Sequence, residues 1–205
     1  LMEQGRNFAN KIWNAYRLVK SWEINENAQP LIKNELAINW FKVKLNNSLI
    51  EIEKLYAEYR ISEVIQSLQK LFWDDFCSWY LEMIKPEVGQ PIDKVSIDIT
   101  IGLFDKLLRI LHPFMPFITE EVWQKLTEAK AGDSICIAAY PKAESIDKQI
   151  VIEQMNLIIE LIENIRNVRS KYSKQIGKFT PLDLYIRTSE KALFEKYLPI
   201  LRKLE

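Results

Sequence analysis

The sequence predicts a mainly α protein, an antiparallel helical bundle over residues 1–143 followed by a partial small α/β domain over 144–205. Three observations predict it. Apolar residues recur at three- and four-residue steps over long stretches, the five glycines and eight prolines of the 205 residues fall mostly between those stretches, and the periodicity changes character after Gly132. Nearly half the residues are apolar, enough for a sizeable core, and no apolar run approaches the roughly 18 to 20 residues that span a bilayer. The expected setting is soluble and cytoplasmic, with no membrane partner.

The first helix is expected over about 3–21, with Phe8, Ile12, Ala15 and Val19 on one arc and Arg6, Asn10, Asn14, Arg17 and Ser21 opposite. A second, over about 31–59, should bury Phe41, Leu45, Ile52, Leu55 and Tyr59 while Lys42, Asn46 and Glu53 face away. A third runs from Ser62 as N-cap to Lys85 before the stop at Pro86, with the stripe Ile65, Leu68, Phe72, Phe76, Trp79 and Met83 as core. The fourth, over about 91–112, is apolar around most of its circumference and belongs in the middle of a bundle. His112 and Pro113 close it, and Thr119 with Glu120 and Glu121 reads as the N-cap and acidic first turn of a fifth helix ending near Lys130. Residues 134–140 read as a short extended stretch. A sixth helix over about 146–172 carries Val151, Met155, Ile158, Ile162 and Ile165 on one side. Residues 181–187 alternate as a half-buried strand, and a last helix starts at Ser189. One strand cannot complete a fold, so this second domain reads as truncated.

Net charge is zero, but Lys and Arg outnumber Asp and Glu over 1–50 and 142–205, and the reverse holds between. Such a distribution permits a local phosphate-binding surface without a globally basic chain. Cys77 and Cys136 are too few and too far apart for a disulfide framework or zinc motif, and read as buried or inert thiols.

Four segments carry a resemblance: Gly5 to Arg17 (GRNFANKIWNAYR), Asp75 to Glu82 with Lys85-Pro86, His112 to Trp123 (HPFMPFITEEVW), and Ile165 to Ser170 followed by Pro181 to Ile186. Together they resemble the helical region that follows the catalytic core in class I aminoacyl-tRNA synthetases of the valine, isoleucine and leucine group, and the first is similar to the valyl-tRNA synthetase branch in particular. The resemblance implies an anticodon-binding bundle, a tRNA partner bearing the valine anticodon and no DNA partner. It also implies a longer chain with catalytic and editing domains upstream and a coiled-coil arm downstream. ATP and Mg would serve that longer enzyme, and no cofactor is expected in this stretch.

The catalytic motifs of that class are a His-x-Gly-His pair and a Lys-Met-Ser-Lys-Ser loop. Here the single histidine, His112, is followed by Pro113, and Lys171-Tyr172-Ser173-Lys174 stands downstream of the bundle rather than before it. With no glycine-rich phosphate loop either, the stretch should be inactive alone. What remains is recognition. An anticodon loop needs cations for phosphates, amides for base edges and aromatic faces for stacking. Arg6, Lys11, Arg17 and Lys20, Asn10 and Asn14, and Trp13 and Trp22 supply these at the first helix. A second basic run with Arg166, Arg169, Lys171, Lys174 and Lys178 reads either as a solvated helix end or as a phosphate track. The isoleucyl counterpart and a helical protein-interaction scaffold are the alternatives to the tRNA module of the valyl branch.

Overall fold

The computed structural model describes residues 2–144, 148–172, 180, 183–188 and 190–204. Two compact units divide the chain, Leu1–Asp147 and Lys148–Glu205. The first contains α1 (Met2–Lys20), β1 (Ile24–Asn25), α2 (Ile32–Ala57), α3 (Ile61–Lys70), a π-helical stretch (Leu71–Tyr80), α4 (Leu81–Ile84), β2 (Ile92–Asp93), α5 (Lys94–Leu111), α6 (Pro116–Thr127) and a 3₁₀ turn (Ile135–Ile137). The second contains α7 (Gln149–Lys171) and α8 (Lys191–Leu204), packed on each other. The mainly α architecture is as the periodicity predicts. No described helix is long and apolar enough to cross a membrane.

Aromatic rings fill the centre of the first unit. Phe41 of α2 stacks on Tyr80 at 4.9 Å between ring centroids and lies 5.3 Å from Phe76, which meets Phe104 of α5 at 5.1 Å. Phe72 joins Phe76 and Phe104, and Phe8 of α1 meets Phe72 edge-on at 5.6 Å. Phe41, Phe72, Phe76, Tyr80 and Phe104 are all fully buried. The Tyr80 hydroxyl shares a 2.8 Å hydrogen bond with Thr100, so its polar tip is satisfied inside the core.

The expected single helix from Ser62 to Lys85 is in fact interrupted in register. Over Leu71–Tyr80 the turns widen: the Leu81 amide donates to the Phe76 carbonyl, five residues back, and the Ser78 hydroxyl donates to the Trp73 carbonyl. A wider turn rotates everything downstream relative to an α-helical stripe. Trp79 is accordingly half-buried while Leu71, Cys77 and Leu81 enter the core; upstream, on α3, Val64 is buried and Ile65 is 44% exposed. Ser62 is not the N-cap either. Arg60 holds that position, and its guanidinium engages the Glu58 and Glu63 carboxylates.

Other boundaries differ for local reasons. Tyr59 is 89% exposed, because it closes α2 in the left-handed conformation (φ 58°) while the Arg60 amide reaches back to the Leu55 carbonyl at 2.9 Å. Asn46, expected on the outer face, is buried, and its amide both donates to the Glu144 carbonyl and accepts from the Glu144 amide. Pro91 does not begin the fourth helix. Ile92 and Asp93 pair in parallel with Ile24 and Asn25, and Asp93 then caps α5 by accepting from the Ser96 amide at 2.7 Å and from the Asn34 side chain at 3.1 Å. Thr119 is no N-cap: Pro116 begins α6, so Thr119 falls a turn later and donates to the Met115 carbonyl. Residues 134–140 hold the 3₁₀ turn rather than a strand. Of the strand expected over 181–187, residues 181 and 182 lie outside the described set, and 183–188 are exposed without regular structure.

Phe76→Ala should lower unfolding free energy by about 3–5 kcal/mol, whereas the half-buried Trp79 should cost less on truncation. Urea denaturation of both variants checks the order, and equal losses would contradict the rotated register.

Asp75 is buried on the same stretch, 3.4 Å from the Lys44 ammonium. Burial holds its carboxyl above the ordinary value of 3.8, against the opposing pull of Lys44. A carboxyl raised in the folded state stabilises that state most below its unfolded value, and this contribution is lost as pH rises through the folded value. The stability advantage of the native chain over Asp75→Asn should therefore shrink as the pH is raised from below 3.8 toward neutrality. Unfolding free energies across that range measure it, and a growing advantage would reverse the assignment.

Candidate nucleic-acid interface

α1 is amphipathic, and its buried residues Ile12, Ala15 and Val19 fix which arc faces outward. Arg6, Asn10, Asn14 and Arg17 are exposed at steps of four, four and three and share the outer arc. The Asn10 and Asn14 amides make no hydrogen bond with any described residue, whereas those of Asn34 and Asn46 are engaged in the interior. Arg17 has no ion pair among the described residues. Arg6 lies 3.6 Å from Glu3 and Lys20 3.2 Å from Glu128, both solvent-facing pairs of the kind that exchange readily for another anion.

Two further residues flank this arc. Lys11 is half-buried and holds its ammonium 5.1 Å from the Trp73 ring, a cation–π interaction. Trp13 is half-buried and tilts against Tyr16 at 5.5 Å. Trp22 departs from its expected part. It is only 9% exposed, packed into the first unit with its indole N–H unpaired, so it has no open face on which a base could stack.

Sequence reasoning missed Trp73. It is half-buried on the π-helical stretch, stacks on Phe8 at 6.1 Å, and with Gln66, Gln69, Lys70 and Asp74 borders a shallow depression. The helix pattern treated this stretch only as core, and the register change that turns Trp73 toward α1 leaves no mark in an α-helical stripe. The signal that could have found it is the run Phe72-Trp73 itself, since adjacent residues on a helix cannot both face one core.

In the second unit Arg166 is exposed and donates to the Leu204 carbonyl at 3.2 Å. Arg169 donates to the Thr180 carbonyl at 3.0 Å, and the Lys171 ammonium lies 5.7 Å from the Tyr172 ring. Each arginine therefore uses part of its five-donor fork to tie down its own unit. Lys174 and Lys178 lie outside the described residues.

The residues present do not fit ATP or Mg. Among the described residues the glycines at 5, 89, 102 and 132 are scattered, with positive φ only at the isolated turns of Gly89 and Gly132, so no run of amides cradles a phosphate. The His112 ring is held between Thr119 and Cys136, a soft nitrogen–sulfur pairing foreign to magnesium. Of the two thiols expected to be buried or inert, Cys77 is buried and its thiol is pushed up to about 12 by burial, while Cys136 is exposed.

The outer arc of α1 combines amides, cations and flanking indoles, the groups from which nucleic-acid-reading surfaces are built, and similarity to known proteins gives the class. Residues 39–186 match the family described as the anticodon-binding domain of tRNA ligase, and the chain belongs to that family. Among relatives, the valine–tRNA ligase of Parabacteroides distasonis is 45% identical over 186 residues, covering 91% of this chain and 21% of the relative. That of Phocaeicola vulgatus is 46% identical with the same coverage, and that of Bacteroides fragilis is 40% identical over all 205 residues, 23% of its length. The chain thus spans about a fifth of the length of the curated relatives it matches.

Because Trp22 is buried and Asn14 is exposed, their truncations should separate. Trp22→Ala should lower stability by about 3 kcal/mol and Asn14→Ala by no more than about 0.5 kcal/mol. Thermal melts of the two variants test this, and a wild-type melt for Trp22→Ala would place its ring in solvent.

Proposed function

We propose that this chain is the tRNA recognition module of a valine–tRNA ligase, holding the anticodon stem-loop while aminoacylation with ATP and Mg takes place on other domains of the same enzyme. The observation that supports this reading most is the outer arc of α1, where two unengaged amides lie between two exposed arginines. Asn10 and Asn14 suit base edges, Arg6, Arg17 and Lys20 suit phosphates, and Trp13 offers a ring edge. Lys11 beside Trp73 adds a cation seated on an aromatic face, a combination suited to an unstacked base and its phosphate. In this reading Trp22 holds the end of α1 in place and does not touch tRNA.

We assign residues 1–143 to the anticodon-binding bundle and 144–205 to part of a following domain. Arg166, Arg169 and Lys171 carry cations without an indole beside them. Their part is binding the tRNA backbone, which is independent of anticodon sequence. The valine assignment leans on the similarity to valine–tRNA ligases across the chain.

Affinity for a valine tRNA and for a tRNA with another anticodon, measured across a salt series, tests the division. Asn14→Ala should weaken the valine tRNA more than the other. Arg166→Ala with Arg169→Ala should weaken both equally and reduce the log–log salt slope by about 0.7 to 0.9 for each phosphate that is no longer neutralised. Equal weakening of both tRNAs by Asn14→Ala would remove α1 from anticodon reading, and an unchanged slope in the double arginine variant would remove the second unit from backbone binding.

A further inference from the structure

Three donors of different chemistry meet at the corner between α5, α6 and the 3₁₀ turn. His112 ends α5, Glu120 sits in the second turn of α6, and Cys136 lies on the turn, yet one ligand atom from each falls within 4.8 Å of the others. Their hydrogen bonds determine what each presents. The Thr119 hydroxyl donates to the Met115 carbonyl at 2.8 Å, so its oxygen accepts from His112 Nδ1–H, also at 2.8 Å. That bond leaves His112 Nε2 as a lone pair, aimed at Cys136 Sγ 3.2 Å away. The arrangement has the form in which metal-binding histidines are oriented, one ring nitrogen anchored as a donor and the other offered.

Glu120 is anchored as well. Its Oε2 accepts from the Ser134 hydroxyl at 2.8 Å and the Ile135 amide at 3.2 Å, and its Oε1 accepts from Gln124 at 2.8 Å. A carboxylate has about four lone-pair sites, so one remains for a further partner. Ligands around a tetrahedral zinc, with bonds of about 2.0 to 2.3 Å, stand about 3.5 Å apart. The nitrogen–sulfur pair is already near that spacing, and the exposed turn bearing Cys136 is the part with room to adjust.

We infer that His112 Nε2, Cys136 Sγ and a Glu120 oxygen form a binding site for a zinc-class divalent cation, clamping the α5–α6 corner to the 134–137 turn, with water in the fourth position. Binding replaces the Cys136 S–H bond with a sulfur–metal bond and releases that proton to solvent. The thiolate and carboxylate then balance the two positive charges of the cation. One nitrogen, one sulfur and one oxygen donor select zinc or cobalt over magnesium or calcium, which take oxygen.

Cobalt(II) is the probe, because its thiolate charge-transfer band reports sulfur ligation directly. Titrating the reduced 205-residue chain should give that band together with tetrahedral d–d bands, saturating at one equivalent and bleached by one equivalent of zinc. Cys136→Ser, at an exposed position, should abolish the charge-transfer band without lowering the metal-free melting temperature, and Glu120→Gln should weaken cobalt binding at least tenfold. Absence of the band in the native chain overturns the site. So does its persistence in Cys136→Ser, which would assign the sulfur to Cys77.

Discussion

The packing of Phe41, Phe72, Phe76, Tyr80 and Phe104 against one another is the constraint on which the first unit depends. Five rings drawn from α2, the π-helical stretch and α5 can meet only if that stretch presents Phe72, Phe76 and Tyr80 together. Residues at steps of four drift around an α-helix by about 40° each time, and the widened turns drift in the opposite sense, which takes back the rotation accumulated along α3. The register change is therefore coupled to the aromatic packing, and the large buried area of these rings offsets the poorer backbone geometry of the widened turns. It also decides what faces outward, because Trp73 and the neighbours of Phe8 follow from the same rotation.

Polar interactions set directions that apolar packing leaves loose. Asp93 closes α5 and takes the Asn34 amide from α2, Asn46 pins the backbone of Glu144, Tyr80 bonds Thr100, and His112 bonds Thr119 across the α5–α6 corner. Each is worth little net against water, yet each leaves an unsatisfied interior group if its partner moves. Together they make the position of each helix end a discrete choice. The outer arc of α1 inherits this rigidity, since Phe8 is set against Phe72 and Trp73 while Ile12, Ala15 and Val19 are packed beneath it. Amides meant for base edges need such a fixed platform, because hydrogen-bond discrimination fails once the donor is free to wander.

The two basic regions differ in kind. On α1 the arginines stand among unengaged amides and beside indoles. On α7 the arginines bind carbonyls of their own unit, and no tryptophan stands in that unit beside them. Base reading and backbone binding ask for these two kinds of surface respectively.

Much of this protein was legible in the sequence alone. The helices of the bundle, the inner arc of α1, the burial of Phe41, Phe72, Phe76 and Phe104 and the family itself follow from three- and four-residue periodicity and from strings such as GRNFANKIWNAYR, because these depend on local order along the chain. Tertiary structure decided the rest. Trp22 lies just past a helix, where periodicity carries no information, and is buried in the folded chain. Trp73 turned toward Lys11 because of a register change driven by packing. Asn46 turned inward to meet a backbone 98 residues away. His112, Glu120 and Cys136, each unremarkable in the sequence, became neighbours only when the α5–α6 corner and the 134–137 turn were fixed in space. Local pattern specifies which face of an element is apolar, but the partner of a polar side chain is chosen by the whole fold.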